Sequence, residues 1–217
     1  MRDFLITDSD TYCDLPINDN HGGCHTEILE RIYQFLYLLT QFLSRVFVFR
    51  FDIRYPQNYL IPDCNKQQNM VEELLRQLAQ HWRRKNQVFE YIWVREEEVP
   101  GRPHYHVAAF VNGKMNYSAH QFITKAADIW ARLLGDDTTH LVRLCYRHHV
   151  EDERGTFRRP TEGAMLDLND EMFSVIWERV FYWLSYLAKR ETKELNPEGV
   201  RTWNSSRPWL GRQLKTS

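Results

Sequence analysis

The sequence predicts an α+β fold, a central antiparallel sheet with flanking helices, on three observations. Arg45 to Arg54 is β-branched and aromatic almost throughout and is closed by Tyr55-Pro56, which reads as a strand. Phe89 to Glu96 and residues 104–111 are two more strand-like runs, joined through Pro100-Gly101-Arg102-Pro103, a turn that makes them an antiparallel hairpin. Between these runs the apolar residues recur every three or four positions, the period of a helix with one buried face.

In chain order, the first residues, with Asp8, Asp10, Pro16, Asn18 and Asp19, read as a flexible N-terminal arm over 1–24. His25 to Ser44 is expected as a helix, since Ile28, Ile32, Leu36, Leu39 and Leu43 form one stripe. Residues 66–85 repeat the pattern through Met70, Leu74, Leu78 and Trp82. Asn112-Gly113 ends the second hairpin strand, Ser118 to Leu134 reads as a helix and Thr139 to His149 as a strand. A charged loop over 150–162 leads to a short strand, Ala164 to Leu168, and then to a long helix from about Asp170 to Lys193. That helix carries Met172, Ile176, Val180, Leu184 and Leu187 on one side. Beyond Asn196-Pro197 the chain is irregular and basic. The organisation is therefore an arm (1–24), one folded domain (25–195) and a basic C-terminal tail (196–217).

With 217 residues, 43% of them hydrophobic, the chain can bury a core without disulfides or a structural metal. Its four cysteines are scattered with no CxxC pair, so they are expected to be reduced thiols. No apolar run reaches the ~18 residues of a membrane span and no signal-like segment is seen, so a cytoplasmic protein without a membrane partner is expected. A net charge of −1 argues against an indiscriminate nucleic-acid coat. The charge is uneven, however, acidic over 1–44 and basic over 189–217, where Lys189, Arg190, Arg201, Arg207 and Arg212 lie.

The chemically pointed segment is His104-Tyr105-His106. Side chains alternate along a strand, so both imidazoles face one way, about 6.6 Å apart, near enough to share a cation. On the preceding strand Ile92, Val94, Glu96 and Glu98 share a face, which offers Glu96, or Glu98 as second choice, as a carboxylate ligand. Two imidazoles and one carboxylate leave open positions on a divalent ion, as a Lewis-acid site requires. Mn²⁺ or Mg²⁺ suits such a site in phosphate chemistry, and Zn²⁺ or Ni²⁺ can occupy it in a purified sample. Near the C-terminus Tyr182, Tyr186 and Lys189 follow at i, i+4 and i+7, one stripe of a helix. A tyrosine beside a cation and an ammonium is a feasible covalent nucleophile.

These segments in order, Arg50-Phe51-Asp52-Ile53-Arg54, Trp93-Val94-Arg95-Glu96, His104-Tyr105-His106-Val107, Val111-Asn112-Gly113, Tyr186-Leu187-Ala188-Lys189 and Arg201-Thr202-Trp203 with Ser205, resemble the inovirus gene-2 replication proteins and their YagK/YfjJ-like prophage relatives. More broadly the chain resembles the HUH endonucleases, the superfamily of rolling-circle replication initiators and relaxases. The resemblance implies a Rep-like fold, with 25–195 as an HUH-type catalytic domain. It also implies a replication initiator that nicks and rejoins single-stranded DNA at a phage or prophage origin, through a 5′-phosphotyrosyl intermediate. In that scheme His104, His106 and Glu96 hold the metal, Tyr186 attacks, Tyr182 is a second nucleophile, and Lys189 stabilises the phenolate or the developing charge. Arg50, Arg54, Arg95, Arg190 and Arg201 are the expected DNA contacts, the partner is single-stranded DNA with an origin hairpin, and host helicase and polymerase are further candidates. The rival expectations are a catalytically silent DNA-binding regulator on the same fold and a metal-stabilised structural domain.

Overall fold

The computed structural model describes residues 5–19, 22–56, 59, 63–97, 102–135, 139–145 and 161–207. Its elements in chain order are β1 (Ile6–Thr7), β2 (Thr11–Tyr12), β3 (Leu15–Pro16), β4 (Cys24–His25), α1 (Thr26–Phe42), β5 (Arg45–Arg54), α2 (Cys64–Arg83), β6 (Phe89–Glu97), β7 (Pro103–Asn112), α3 (His120–Leu134), β8 (Val142–Cys145), β9 (Gly163–Asp167), α4 (Phe173–Ser185) and β10 (Trp203–Ser205). Six strands form one sheet in the order β10-β6-β7-β5-β8, with β9 also on β5, and every pairing is antiparallel. The fold is thus α+β with four helices flanking the sheet, as the sequence predicts.

Pleating divides the apolar side chains between two layers. Val46, Val48, Ile92, Val94, Ala108 and Phe110 face α1 and α4, and meet Ile32, Phe35, Leu36, Val180, Phe181 and Leu184. Phe47, Phe49, Phe51, Trp93, Tyr105 and Val107 face the other way, against α2 and α3, and meet Leu74, Leu78, Trp82, Phe122 and Trp130. Both faces are buried, which is why the strands read as nearly continuous apolar runs rather than as clean alternation. Local chemistry sets the helix ends. Asp63 accepts the Asn65 N–H at 2.8 Å to open α2, and Gly135 at φ 71° closes α3 in the left-handed conformation that glycine tolerates.

Four expectations differ from what is observed. Residues expected to be a loose arm instead carry β1 to β4, with Ile17 and Cys24 buried. Cys13 and Asp14, at φ 51° and 62°, form the tight turn between β2 and β3, and the Tyr12 ring stacks on Phe181. The expected strand over 139–149 begins as a 3-10 turn, Thr139–Leu141, before β8, and residues 146–149 lie outside the described part. The long C-terminal helix stops at Ser185 and continues as a 3-10 turn, Tyr186–Ala188. There the chain turns away to pair with the N-terminal segment, through a Cys24–Lys189 bridge and an Arg190 N–H bond to Gly23 O at 3.0 Å. Finally, the tail contributes β10, an edge strand on β6, whose residues 203–205 face 94–92; residues 208–217 lie outside the described part.

Candidate active site

At one end of the α1/α4 face the apolar residues give way to charge. The β6–β7 register sets Glu96 opposite His104 and Val94 opposite His106, so strand parity turns Glu96 and both imidazoles to one side. His104 Nε2 and His106 Nε2 are 3.1 Å apart, and Glu96 Oε2 is 3.3 Å from His106 Nε2 and 3.8 Å from His104 Nε2. Three atoms at those separations lie on a circle of about 2 Å radius, the ordinary distance from such ligands to a divalent ion. The donor set therefore fits one cation with positions left for other ligands. Glu98, the second choice, lies outside the described residues.

A second carboxylate, Asp52, supports this group. The β5–β7 register places Asp52 opposite His106, and its Oδ1 is 2.5 Å from His106 Nδ1. With the imidazole proton on Nδ1 donated to Asp52, Nε2 keeps its lone pair for the ligand triangle. Cys145 on β8 donates its thiol to the same Asp52 oxygen at 3.0 Å. Burial alone would raise the Asp52 carboxyl, but His106, Cys145 and Arg50 together lower it to about 2. Burial also pushes the His106 imidazolium down, and the Asp52 and Glu96 carboxylates more than reverse this, so its pKa is raised.

The 3-10 turn after α4 delivers the hydroxyl. In a 3-10 turn residues i and i+3 eclipse, so Lys189 lies over Tyr186, and its Nζ donates to the Tyr186 oxygen at 2.7 Å. The same ammonium is 3.0 Å from Glu96 Oε2, and the Tyr186 ring meets the His106 ring edge to face, with centroids 6.3 Å apart. Arg50, buried and one β5 step from Asp52, sits with its guanidinium carbon 5.0 Å from the Tyr186 ring centroid and donates to Trp183 O at 3.4 Å. Tyr182 is not brought into this group. It stands one helical turn earlier and is 38% exposed.

Lys193 completes the arrangement. Its buried Nζ donates to Glu96 Oε1 at 3.0 Å and to the Lys189 carbonyl at 2.8 Å. Burial would raise the Glu96 carboxyl, but His106, Lys193 and Lys189 hold it well below the usual carboxylate range. Burial pulls the Lys193 ammonium down to about 8, against the opposing pull of Glu96.

The other basic residues divide by position. Arg54 is exposed at the end of β5, opposite His104 in register and on the same face as Arg50 and Asp52. Arg95, expected on the DNA surface, is instead wholly buried on the α2/α3 face. It donates to Glu97 Oε2 and to Asn196 Oδ1, each at 2.5 Å, because odd-numbered β6 residues point away from the histidines. Arg190 is half-exposed and paired with Glu194. Arg201 lies on the α2 side, its backbone N–H bonded to Gln68 and its guanidinium 2.9 Å from Glu72.

Asp52 and Lys193 are the site residues that sequence reasoning missed. The Asp52 signal was present in part, since Arg50, Asp52 and Arg54 share a strand face, but only the β5–β7 pairing aligns it with His106. Among the described residues no helix is long and apolar enough to cross a membrane. No curated protein and no solved structure matches the chain. The sequence model of the YagK/YfjJ C-terminal domain matches residues 7–203, a span that includes every ligand, lysine and tyrosine of the site, and the chain belongs to that family.

Proposed function

We propose that this protein is an HUH-type endonuclease of the rolling-circle replication kind, related to inovirus gene-2 proteins, that nicks and rejoins single-stranded DNA. The observation that carries the reading is the Tyr186 hydroxyl, held by Lys189 beside the Glu96, His104 and His106 triangle. A divalent cation such as Mn²⁺ or Mg²⁺, bound by those three residues, would polarise a phosphate oxygen. Tyr186 Oη then forms a bond to phosphorus as the bond to the 3′ oxygen breaks. The 5′ side becomes a phosphotyrosyl ester, and the 3′ oxygen leaves as a hydroxyl. Lys189 stabilises the phenolate by donating to it, and Arg50 and Lys189 add positive charge where the phosphorane gains negative charge. Rejoining is the reverse, with a 3′-hydroxyl attacking the phosphotyrosine.

The test uses a pool of random-sequence single-stranded DNA with Mn²⁺, scored for a protein–DNA adduct that survives denaturing electrophoresis. Tyr186→Phe removes one oxygen from a half-buried ring, so it should preserve the fold and cut adduct formation by at least about 10³-fold. Tyr182→Phe should leave the adduct in place. Metal-dependent binding of the pool without any adduct from the wild type would favour the silent regulator, and an adduct from Tyr186→Phe would move the nucleophile elsewhere.

A further inference from the structure

Glu96 has an ammonium on each oxygen. Lys193 Nζ lies 3.0 Å from Oε1 and Lys189 Nζ 3.0 Å from Oε2. The two lysines have different tasks. Lys189 reaches the tyrosine oxygen, whereas Lys193 reaches no reacting group. Its side chain is 1% exposed, and its second bond, 2.8 Å long, goes to the carbonyl of Lys189, the residue that follows the 3-10 turn of Tyr186. One buried ammonium, 97 residues beyond Glu96, thus joins the strand that carries the candidate ligand to the turn that carries the candidate nucleophile.

Two consequences follow from elementary electrostatics and geometry. A carboxylate whose Oε1 is engaged by a fixed donor cannot rotate freely, so only Oε2 is presented to the imidazoles, at 3.3 and 3.8 Å. A positive charge fixed on a ligand carboxylate also repels any cation that the carboxylate binds. The contact that orients Glu96 therefore weakens its hold on a metal.

We infer that Lys193 is a positioning residue. It presents Glu96 as a one-oxygen ligand and keeps it in register with the Tyr186 turn, while lowering the site's affinity for a divalent cation. The inference rests on the proposed reading of the triangle as a cation site. It predicts that affinity and chemistry move in opposite directions when the charge is removed, whereas a purely structural lysine would lower both.

The experiment is a calorimetric titration of Mn²⁺ into the DNA-free protein, for wild type, Lys193→Gln and Lys193→Met, with adduct formation measured alongside. Lys193→Gln keeps a donor for Glu96 and for the Lys189 carbonyl, and should bind Mn²⁺ about tenfold more tightly while forming the adduct at least about tenfold more slowly. Lys193→Met removes the donor as well and should show the larger loss of adduct if it folds. Wild-type protein that binds Mn²⁺ alongside a folded Lys193→Gln with equal or weaker affinity overturns the inference alone. Wild-type protein that binds no Mn²⁺ overturns both the inference and the metal reading. Loss of the folded state in both variants makes Lys193 a purely structural residue and overturns the inference too.

Discussion

Glu96 and Glu97 are neighbours on β6, and pleating sends them into two different environments. On the α2/α3 face Glu97 meets Arg95, which also bonds Asn196, whose amide in turn donates to the Arg95 carbonyl at 3.1 Å. The two charged side chains of that group are shut away from solvent. On the α1/α4 face Glu96 meets two imidazoles and two ammoniums, and the side chains of His104, His106 and Asp52 keep 11–15% of their surface open. Both groups are buried ion networks on opposite faces of one strand. The difference is that one is closed off from solvent, with the Arg95 and Glu97 side chains 0% and 5% exposed, and the other has imidazole nitrogens converging on an accessible point. Charge in a sheet is therefore not by itself a sign of chemistry, and the parity of a single residue decides which kind of network it joins.

The largest expected effect tests the closed side. Arg95→Met removes the guanidinium that bonds both the buried Glu97 carboxylate and Asn196, which should destabilise the protein by about 3–5 kcal/mol. The loss should appear equally with and without Mn²⁺ in denaturant unfolding, and the folded fraction should bind Mn²⁺ as the wild type does. A stability loss that vanished on adding Mn²⁺ would mean that the two faces are not independent.

The open side should behave in the opposite way. The double variant His104→Ala with His106→Ala should abolish the gain in stability from Mn²⁺, about 2.7 kcal/mol at 100 times the Kd. Its pH dependence follows from the direction of the His106 shift. The folded pKa is above the unfolded value of 6.5, so the ion pair with Asp52 and Glu96 stabilises the metal-free protein fully below that value and is lost as pH rises through the folded pKa. Metal binding needs the neutral imidazole and runs the other way, weakening by up to about tenfold per pH unit below the folded pKa. Asp52, held near 2, contributes stability above its unfolded value of 3.8 that is lost as pH falls towards 2. Unfolding midpoints across pH, with and without Mn²⁺, check both signs, and parallel curves would remove the cation from the account.

The comparison also explains what was legible in the sequence. Local regularities were: the strand and helix periods, the same-face placement of His104, His106 and Glu96, and the proximity of Tyr186 to Lys189 all depend on residues a few positions apart. What was not legible depends on pairings across the chain. Asp52 reaches His106 only through the β5–β7 register. Lys193 reads as the end of a helix, whereas the helical backbone ends at Ala188 and Lys189 bridges to Cys24. Tyr182 stands one turn of α4 before Tyr186, as its spacing implies, but its side chain is exposed whereas Tyr186 reaches Lys189 and the His106 ring. The composition of the N-terminal residues suggests a loose arm, whereas Ile17, Cys24 and the Asn18 N–H bond to Ser185 Oγ at 2.8 Å anchor that segment to the core.

The smallest effect concerns the surface cations, and it extends the contrast between faces to DNA. Arg54 and Arg201 are both exposed arginines, so neither should change stability by more than about 1 kcal/mol when replaced by alanine. Their positions differ. Arg54 shares the face and the strand end of the candidate site, opposite His104, whereas Arg201 is engaged by Glu72 on the α2 side. On the proposed reading, a DNA strand that brings a phosphate to Tyr186 would pass over the first and not the second. Arg54→Ala should therefore lower the slope of log affinity against log salt for single-stranded DNA by about one, the signature of one lost phosphate contact, and Arg201→Ala should leave it unchanged. Fluorescence anisotropy over a salt series measures both slopes. If Arg201→Ala flattens the slope and Arg54→Ala does not, the DNA lies along the α2 side, and the strand's path to Tyr186 has to be redrawn around the β10 edge.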